Sequence, residues 1–277
     1  MSIVLRPASI VIGCALIATG CASVSHSSAE QPFRVMTYNI QYGHEGLDSV
    51  AAVIRAENPA IVGLQEVDVH WQQRSNFVDQ AATLARNTGM QYRFARIYQF
   101  PNDDPSKPPR EFGVAVLSKY PITSFTNHEI TRLSTQDSTP VPSPLPGLLE
   151  AGINVNGTIV RFFNVHLDYR SDPRVRAQQV AEILGYIGDS KAPTLLTGDL
   201  NAKPDAQELQ PLLTRLHDSW PYSQGPGLSS PAKEPRAKID YVLTSDGFRV
   251  EKAWVPVVFA SDHRPVVVDL VMTKGAN

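Results

Sequence analysis

The sequence has little cysteine: its 277 residues contain only two, Cys14 and Cys21, and both belong to the first 21 residues. The rest of the chain therefore has no thiol for a structural disulfide or for a spaced cysteine metal site. The chain also lacks a charge excess, because 25 Lys and Arg oppose 27 Asp and Glu for a formal net charge of -2. A nearly neutral chain offers no general attraction for a polyanion, which disfavours routine binding to long DNA.

The sequence lacks a hydrophobic run long enough to cross a membrane. Its most apolar stretch, Ala8 to Gly20, is 13 residues long, whereas a transmembrane helix needs about 20. Arg6 precedes this stretch, and a positive residue before a short apolar core is typical of a secretory signal peptide. We therefore expect residues 1–20 to be a signal peptide.

The end of this leader, with the residues Leu-Ile-Ala-Thr-Gly-Cys up to Cys21, resembles the lipobox of bacterial lipoprotein signal peptides. The resemblance implies acylation of Cys21, and two or more acyl chains hold a protein stably on a membrane. Residues 21–32 would then be a polar tether. Ala18 stands where leucine is usual, so plain secretory cleavage is the alternative, and Cys14 is a second candidate for lipidation. The expected location is the bacterial cell envelope, lipid-anchored on the periplasmic or outer-membrane face, or outside the cell without the anchor.

The remaining residues, 33–273, are expected to form one α/β domain. Their composition is that of an ordinary globular protein, with 42% hydrophobic and 19% charged residues over the whole chain, and a single core extends to roughly 250 residues. Strand-like runs alternate with helical patterns, which indicates a layered architecture. Helices are predicted to begin at Asp48, at Asn76 and at Asp172-Pro173, and to cover Ala206 to Leu216. Loops rich in Pro, Gly and Ser are predicted over residues 101–110, 137–147 and 223–238.

Polar side chains stand at the ends of five runs that are predicted to be strands. The runs end at Asn39, at Glu66, at His166, at Asp199 with Asn201, and at Asp262 with His263, the last run being Val258–His263. Because side chains two residues apart on a strand share a face, Asp199 and Asn201 would lie together if both were extended. A carboxylate beside an amide can accept a proton from water while the amide donates a hydrogen bond to a phosphoryl oxygen. The same residues also often form a simple turn or cap.

Three of these residues, Glu66, Asn39 and Asp262, offer only oxygen ligands, which suits Mg²⁺ or Mn²⁺ rather than Zn²⁺. Each also has a structural interpretation, as a turn residue, a solvated strand end or a cap.

The two histidines, His166 and His263, are next to apolar runs, where a lone histidine is often a core or surface group. Asp240 could orient one of them by accepting its ring proton. It could instead form a surface ion pair with Lys238 or Arg236.

Six short motifs contain these residues and occur in a fixed order. They are Thr37-Tyr38-Asn39-Ile40, Leu64-Gln65-Glu66-Val67, Asn164-Val165-His166-Leu167, Gly198-Asp199-Leu200-Asn201, Ile239-Asp240-Tyr241 and Ser261-Asp262-His263-Arg264-Pro265. Together they resemble the endonuclease/exonuclease/phosphatase superfamily over roughly residues 33–271. The resemblance implies the DNase I-like fold, a four-layer α/β sandwich in which two mixed, mainly antiparallel sheets are flanked by helices, with the site in loops at one sheet edge.

The resemblance also implies roles. Glu66 would bind a divalent metal, Mg²⁺ or Mn²⁺, with Asn39 and Asp262 as ligands or beside the ligands. Phosphoryl transfer requires positioning and stabilisation of charge on the phosphoryl oxygens, which a metal and two imidazoles can provide.

The other motif residues would act on the water and the phosphoryl group. Asp199 would orient or deprotonate the attacking water, and Asn201 would hold that water or a phosphate oxygen. His263, oriented by Asp240, would contact the phosphoryl group, and His166 would do so from the other side.

Two neighbouring residues have two interpretations each. Asp168 could line the substrate pocket or cap local backbone. Arg74 stands where a phosphate-binding arginine would be useful, although a solvated loop arginine is the simpler interpretation.

We therefore expect a metal-dependent phosphohydrolase of the cell envelope, most simply a phosphodiesterase acting on a phospholipid headgroup or another small phosphoester by attack of water. A metal-dependent endo- or exonuclease is the alternative within the same chemistry. A binding lipoprotein without activity is the alternative outside it. The expected partners are the phosphoester and, through the lipid anchor, a membrane; nucleic acid is not favoured, and the protein is expected to be a monomer.

Overall fold

The structure, a computed structural model, describes residues 1–3 and 31–273. Residues 4–20 of the predicted signal peptide, the lipidation site Cys21 and most of the predicted tether therefore lie outside the described residues. Within the described ranges, no helix is long and apolar enough to cross a bilayer.

Two six-stranded sheets form the centre of the described domain. The strands are β1 (Phe33–Asn39), β2 (Ile61–Val69), β3 (Gln91–Phe100), β4 (Arg110–Ser118), β5 (Ile122–Arg132), β6 (Ser143–Val155), β7 (Thr158–His166), β8 (Thr194–Asp199), β9 (His217–Asp218), β10 (Asp240–Thr244), β11 (Phe248–Trp254) and β12 (Val266–Met272). The first sheet has the order β11-β12-β1-β2-β4-β3, and the second has the order β5-β6-β7-β8-β10-β9.

Four helices cover the outer faces of the sheets: α1 (Leu47–Glu57), α2 (Gln80–Thr88), α3 (Arg174–Ile187) and α4 (Gln210–Arg215). The carboxylate of Asp79 caps α2 by accepting a hydrogen bond from the backbone N–H of Ala82 at 2.9 Å. The predicted start at Asn76 is therefore wrong, because Asn76 follows a 3-10 turn in the left-handed conformation. The fourth helix is shorter than predicted, since a 3-10 turn over Gln207–Leu209 precedes it.

The hydrophobic core has three layers, which confirms the four-layer sandwich. One cluster lies between the sheets and includes Val35 and Phe162. A second packs the first sheet against α1 and α2, and a third packs the second sheet against α3 and α4. Successive side chains of a strand point to opposite faces of the sheet. In β1, Val35 therefore packs between the sheets and Met36 packs in the cluster under α1 and α2.

Each sheet contains one central parallel pair, β1 with β2 and β7 with β8. The pairs are connected through α1 and α3, as a parallel connection requires a crossover. The strands β10 and β12 run antiparallel to their neighbours β8 and β1. One edge of the sandwich therefore collects the ends of the parallel strands and the beginnings of β10 and β12.

A buried polar network joins the two sheets below this edge. The side-chain amide of Gln65 donates to Oδ1 of Asn164 at 2.7 Å and to Oγ1 of Thr37 at 3.1 Å. Asn164 in turn donates to the carbonyls of Leu64 and Ala115, both in the first sheet. Because these groups are fully buried, their mutual hydrogen bonds fix how one sheet sits on the other.

Two further predictions about local structure are wrong. Residues 258–263 form a loop before β12, with no strand assigned to any of them. The predicted loop 137–147 ends early, because β6 begins at Ser143 and pairs with β5. In both places the sequence pattern is local, whereas strand formation depends on a partner strand.

Candidate active site

Three predicted residues stand in one row across the second sheet. His166 ends β7 and lies opposite Asp199, which ends β8, and Asp199 lies opposite Asp240, which begins β10. The parallel pair brings two strand ends to the edge, and the antiparallel strand brings its first residue to the same place. The row therefore follows from the strand directions.

Glu66 reaches the same edge from the first sheet through a β-bulge. Leu64 pairs with Ala115 and Val67 pairs with Gly113, so β2 holds one residue more than β4 between these pairs. Glu66 itself has a positive φ of 56°, a conformation that is costly for a residue with a side chain. Bulges turn side chains out of the regular alternation, and here the bulge carries a carboxylate.

Asn39 connects the two sheets at the site. Its Nδ2 donates to Oε1 of Glu66 at 2.9 Å and to Oδ2 of Asp199 at 3.1 Å, and its Oδ1 accepts from the backbone N–H of Gln41 at 3.0 Å. The residue is fully buried. Asn39 therefore sets the distance between the carboxylates of Glu66 and Asp199.

The loop before β12 supplies Asp262 and His263. Oγ of Ser261 donates to the carbonyl of Asn39 at 2.7 Å, and the backbone N–H of Ala232 donates to the carbonyl of Asp262 at 2.6 Å. These bonds hold the loop between the end of β1 and the segment that precedes β10. The wrongly predicted strand thus still delivers its two polar residues to the site.

Asp240 is buried and lies within hydrogen-bond distance of the ring of His263. Nδ1 of His263 lies 2.9 Å from Oδ2 of Asp240, which also accepts from Oγ of Ser229 at 2.6 Å. Burial alone would lower the pKa of His263, but the carboxylates of Asp240, Asp199 and Asp262 outweigh it and raise the pKa to about 10. The imidazole is therefore a cation at neutral pH.

Asp199 lies between the two imidazoles. Its Oδ2 is 3.6 Å from Nε2 of His166 and 3.8 Å from Nε2 of His263, both beyond hydrogen-bond distance. Its Oδ1 accepts from the backbone N–H of Asn201 at 2.9 Å. Burial raises the pKa of Asp199 and the charge of Asp240 raises it further, while the two histidines and this N–H oppose the shift. Asp199 is therefore a stronger base than an exposed aspartate.

Asn201 and Asp168 belong to the loops beside this row. Asn201 has a positive φ of 49°, so it does not continue β8 as an extended residue, and its Nδ2 donates to the carbonyl of Leu167 at 3.0 Å. Asp168 is buried beside His166, and its Oδ2 accepts from Nη1 of Arg170 at 2.5 Å. Asp168 thus both holds the loop and faces a cavity next to the site.

Glu66 and Asp262 offer carboxylate oxygens that suit a divalent cation, whereas Asn39 turns its Nδ2 to Glu66 and its Oδ1 to the backbone N–H of Gln41, so it lies beside the ligands. Desolvation raises the pKa of Asp262; His263 opposes this shift, and the nearby charge of Glu66 adds to it. Two carboxylates that repel each other at a solvent-exposed rim are a typical cation site, and their hard oxygens suit Mg²⁺ or Mn²⁺. A bound cation would replace that repulsion by attraction.

A second group of potential ligands consists of Asp199, Asp240 and His263, whose ligand atoms lie within 4.8 Å of one another. Oδ2 of Asp240 is already bonded to Ser229 and His263. A protonated imidazole offers no lone pair to a metal. This group therefore suits proton handling better than metal binding.

The structure also shows contacts that the sequence did not reveal. Ser229, which bonds to Asp240, lies in a Pro- and Gly-rich loop without a recognisable signal. Arg74 is an exposed loop arginine that also bonds to both oxygens of the buried Asp68, and its guanidinium lies 4.0 Å from the ring centre of Tyr42. Neither contact is visible from local sequence patterns.

Comparison with known proteins identifies similar sequences and folds. A family model described as "Endonuclease/Exonuclease/phosphatase family" matches residues 36–263. No curated protein matches the chain. Among solved structures, the fold is similar to an endonuclease/exonuclease/phosphatase from Beutenbergia cavernae, with 24% identity over 87% of this chain and 72% of that chain and a TM-score of 0.63.

Two other similar folds carry more specific names. A mannosyl-6-phosphatase from Bacteroides thetaiotaomicron has 18% identity over 87% of this chain and 100% of that chain, with a TM-score of 0.63. A sphingomyelinase C from Streptomyces griseocarneus has 20% identity over 86% of this chain and 99% of that chain, with a TM-score of 0.59. At these identities the likeness establishes a common fold and no common substrate.

Proposed function

This chain belongs to the endonuclease/exonuclease/phosphatase family, and we propose that it is a divalent-metal-dependent phosphodiesterase that cleaves a small phosphoester by attack of water. The observation that carries the proposal is the placement of the Asp199 carboxylate between two imidazoles, one of them paired with Asp240. This arrangement has a base and two cationic or hydrogen-bonding groups within one small volume. Phosphoester hydrolysis needs these groups.

Asp199 is the residue placed to handle the attacking water. Asn39 and the backbone N–H of Asn201 fix its carboxylate from two sides. Its raised pKa makes it a better proton acceptor from water. Oδ2 of Asp199, which faces both imidazoles, would take the proton as the water oxygen bonds to phosphorus. The ester P–O bond would break in the same displacement, and the departing oxygen would take a proton from the imidazolium of His263 or from solvent.

The two histidines are placed to receive the phosphoryl oxygens. The gaps of 3.6 and 3.8 Å separate Asp199 from the two Nε2 atoms. Nε2 of His263 has one long contact, 3.4 Å to Oγ of Ser230, which a phosphoryl oxygen would replace. His263 carries its proton because of Asp240, so its Nε2–H can donate to an oxygen on which negative charge develops. His166 would donate to the same group from the other side of Asp199.

Glu66, with Asp262, would hold the divalent cation, and Asn39 would fix the carboxylate of Glu66. Such a cation supplies neutralisation of the phosphoryl charge when it is bound. The role of the protein there is to hold the carboxylate oxygens in place, which the bulge at Glu66 and the bond from Asn39 do.

The entry point of the chain and the length of the predicted tether bear on which substrates can reach the site. β1 begins at Phe33 and reaches the site at Asn39, so the chain enters the domain at the edge opposite the site, roughly 20 Å away. If Cys21 carries the lipid, residues 21–32 span at most about 40 Å when fully extended. A tether of that length lets the site face either the membrane or the solvent, so a phospholipid headgroup and a dissolved phosphoester are both candidate substrates.

The neighbours with more specific names, a phosphatase and a sphingomyelinase, cover both monoester and diester substrates. We favour a diester because a cavity beside His166 offers room for a second substituent on phosphorus. A nuclease is less well supported, since a net charge of -2 gives a long polyanion no general attraction.

The activity can be tested with bis-p-nitrophenyl phosphate and p-nitrophenyl phosphate, each with Mg²⁺, with Mn²⁺ and with EDTA. We expect metal-dependent release of p-nitrophenolate, faster from the diester. Absence of release under every condition would overturn the hydrolase proposal in favour of a binding protein. A faster reaction with the monoester would overturn the diesterase assignment alone.

The envelope anchor needs its own experiment. In cells that process lipoproteins, Cys21→Ser should remove the protein from the membrane fraction or leave its precursor uncleaved, and Cys14→Ser should have neither effect. A Cys21→Ser protein that is processed and membrane-bound like the wild type would overturn lipidation at this residue.

A further inference from the structure

A cavity of about 200 Å³ opens between the two sheets, beside the row formed by His166, Asp199 and Asp240. Glu66 of the first sheet and His166 of the second sheet both line it, so it is continuous with the place assigned to the phosphoryl group. Most of its remaining wall is apolar or aromatic, from Ile97, Tyr98, Phe112, Leu133, Leu167 and Tyr169. A group attached to the phosphorus would enter this cavity directly.

One wall of the cavity is a flat aromatic surface. The rings of Tyr98 and Phe112 lie nearly parallel, with an interplanar angle of 16° and centroids 6.2 Å apart. Trp71 supports Phe112 at a centroid distance of 5.8 Å. Aromatic rings bind other flat rings favourably in offset or edge geometries, so this wall suits a ring.

The wall is held in place before any ligand arrives. The phenol oxygen of Tyr98 accepts from the backbone N–H of Thr135 at 2.9 Å, which ties β3 to the loop that follows β5. Arg74 lies 5.7 Å from the ring centre of Phe112 and is itself fixed by Asp68. A preformed pocket binds its ligand without the cost of ordering its walls.

The cations near the cavity are already engaged with protein groups. Arg132 is almost fully buried, and it donates to the carbonyls of Pro146, Gly147 and His166. Arg170 is paired with Asp168. Among the described lining residues, no cation is left without a protein partner to receive a second phosphate or a carboxylate.

We propose that this cavity binds one uncharged, flat ring carried by the phosphoester and thereby selects the substrate. The proposal rests on the proposed function, because it assigns the cavity to a substituent of the same phosphorus. The size agrees with one ring, since an apolar cavity of about 150 Å³ binds benzene and this one has about 200 Å³. Substrates with a second charged group in this position are disfavoured.

Two inhibitors that differ only in the group on phosphorus test the proposal. Phenylphosphonate carries a flat ring, and methylphosphonate carries none. We expect the Mg²⁺-loaded wild type to bind phenylphosphonate at least tenfold more tightly, measured by calorimetry and by competition with bis-p-nitrophenyl phosphate.

Leu133→Trp should fill the cavity and abolish this tenfold preference, while its affinity for methylphosphonate stays within about twofold of the wild-type value. Phe112→Leu is the second variant, for the case that Leu133→Trp fails to fold. It keeps an apolar side chain but removes the flat ring, and it should reduce the preference for phenylphosphonate severalfold. Val141→Trp is the matched control, because Val141 is an exposed residue of the same loop outside the cavity lining.

Equal affinities of the wild type for the two phosphonates would overturn the proposal, and so would equal losses for both in Leu133→Trp. Because calorimetry does not require turnover, a protein that prefers phenylphosphonate but hydrolyses no phosphoester would contradict the proposed function and leave the cavity assignment standing. An active enzyme without the preference would contradict the cavity assignment alone.

Discussion

Nδ1 of His263 lies 2.9 Å from Oδ2 of Asp240 in a buried contact between the two sheets. His263 stands in the loop before β12 of the first sheet, and Asp240 is the first residue of β10 in the second. The contact therefore depends on how the two sheets pack, and it keeps the imidazole protonated. Packing between the sheets is thus connected to the charge of the site.

Asp240→Asn should shift the pH profile of kcat/KM to lower pH on both sides. Without the Asp240 charge, the pKa of His263 falls, because this carboxylate is one of the groups that raise it, so the alkaline loss of activity begins at lower pH. The pKa of Asp199 also falls, because Asp240 is one of the groups that raise it, so the acid limb moves in the same direction. The profile of metal-saturated enzyme with bis-p-nitrophenyl phosphate measures both limbs.

Asp246→Asn is the control for this shift, because it removes the carboxylate of another His–Asp pair, His217 with Asp246 at 2.9 Å, which is exposed to solvent. Its profile should match the wild type. An unchanged alkaline limb in Asp240→Asn would contradict the role assigned to Asp240.

Glu66→Gln should weaken metal binding and turnover together. An amide keeps the shape of the side chain and removes the charge that attracts a hard cation. We expect kcat to fall by about 10²-fold or more, and Mg²⁺ or Mn²⁺ to raise the melting temperature of the wild type but not of this variant.

Glu129→Gln, an exposed residue of the edge strand β5, is the control for charge removal and should behave like the wild type in both assays. A Glu66→Gln protein with the wild-type metal requirement would rule out Glu66 as the metal ligand.

Asn164→Leu should destabilise the domain by about 3 kcal/mol or more, because several buried partners lose their hydrogen bonds. Asn164 bonds to Gln65 and Thr197 and to the carbonyls of Leu64 and Ala115. Urea unfolding measures the change.

Asn87→Ala, which removes a long surface hydrogen bond to Asp48, should cost less than about 0.5 kcal/mol. If the two variants had equal stability, the buried network would not contribute to sheet packing.

The positions of Asn39, His166 and Asp199 at strand ends could be predicted from the sequence, because each closes an apolar run, and the structure has them there. That these ends meet at one sheet edge was what the resemblance to the family implied, since side-chain periodicity does not say which strands pair. The strand directions give the physical reason, because these three residues end strands of parallel pairs and Asp240 begins an antiparallel strand.

Other features depend on contacts between distant segments and could not be predicted. The bulge at Glu66 is defined by its pairing with β4, about fifty residues later. The run Val258–His263 contains residues that favour strands, but it lies at the surface, with Phe259 53% exposed, and has no partner strand among the described residues. The aromatic wall of the cavity combines side chains of β3 and β4 that are far from every motif.

Asp199→Asn tests the central claim most directly, since it replaces one carboxylate oxygen by an amide NH2 and nearly keeps the shape of the side chain. The histidines and the metal ligands stay in place. With saturating Mg²⁺ and an unchanged melting temperature and circular dichroism spectrum, we predict that kcat for bis-p-nitrophenyl phosphate falls by about 10³-fold, within the range attributed to general base catalysis. A folded Asp199→Asn enzyme whose kcat stays within about tenfold of the wild type would contradict the account.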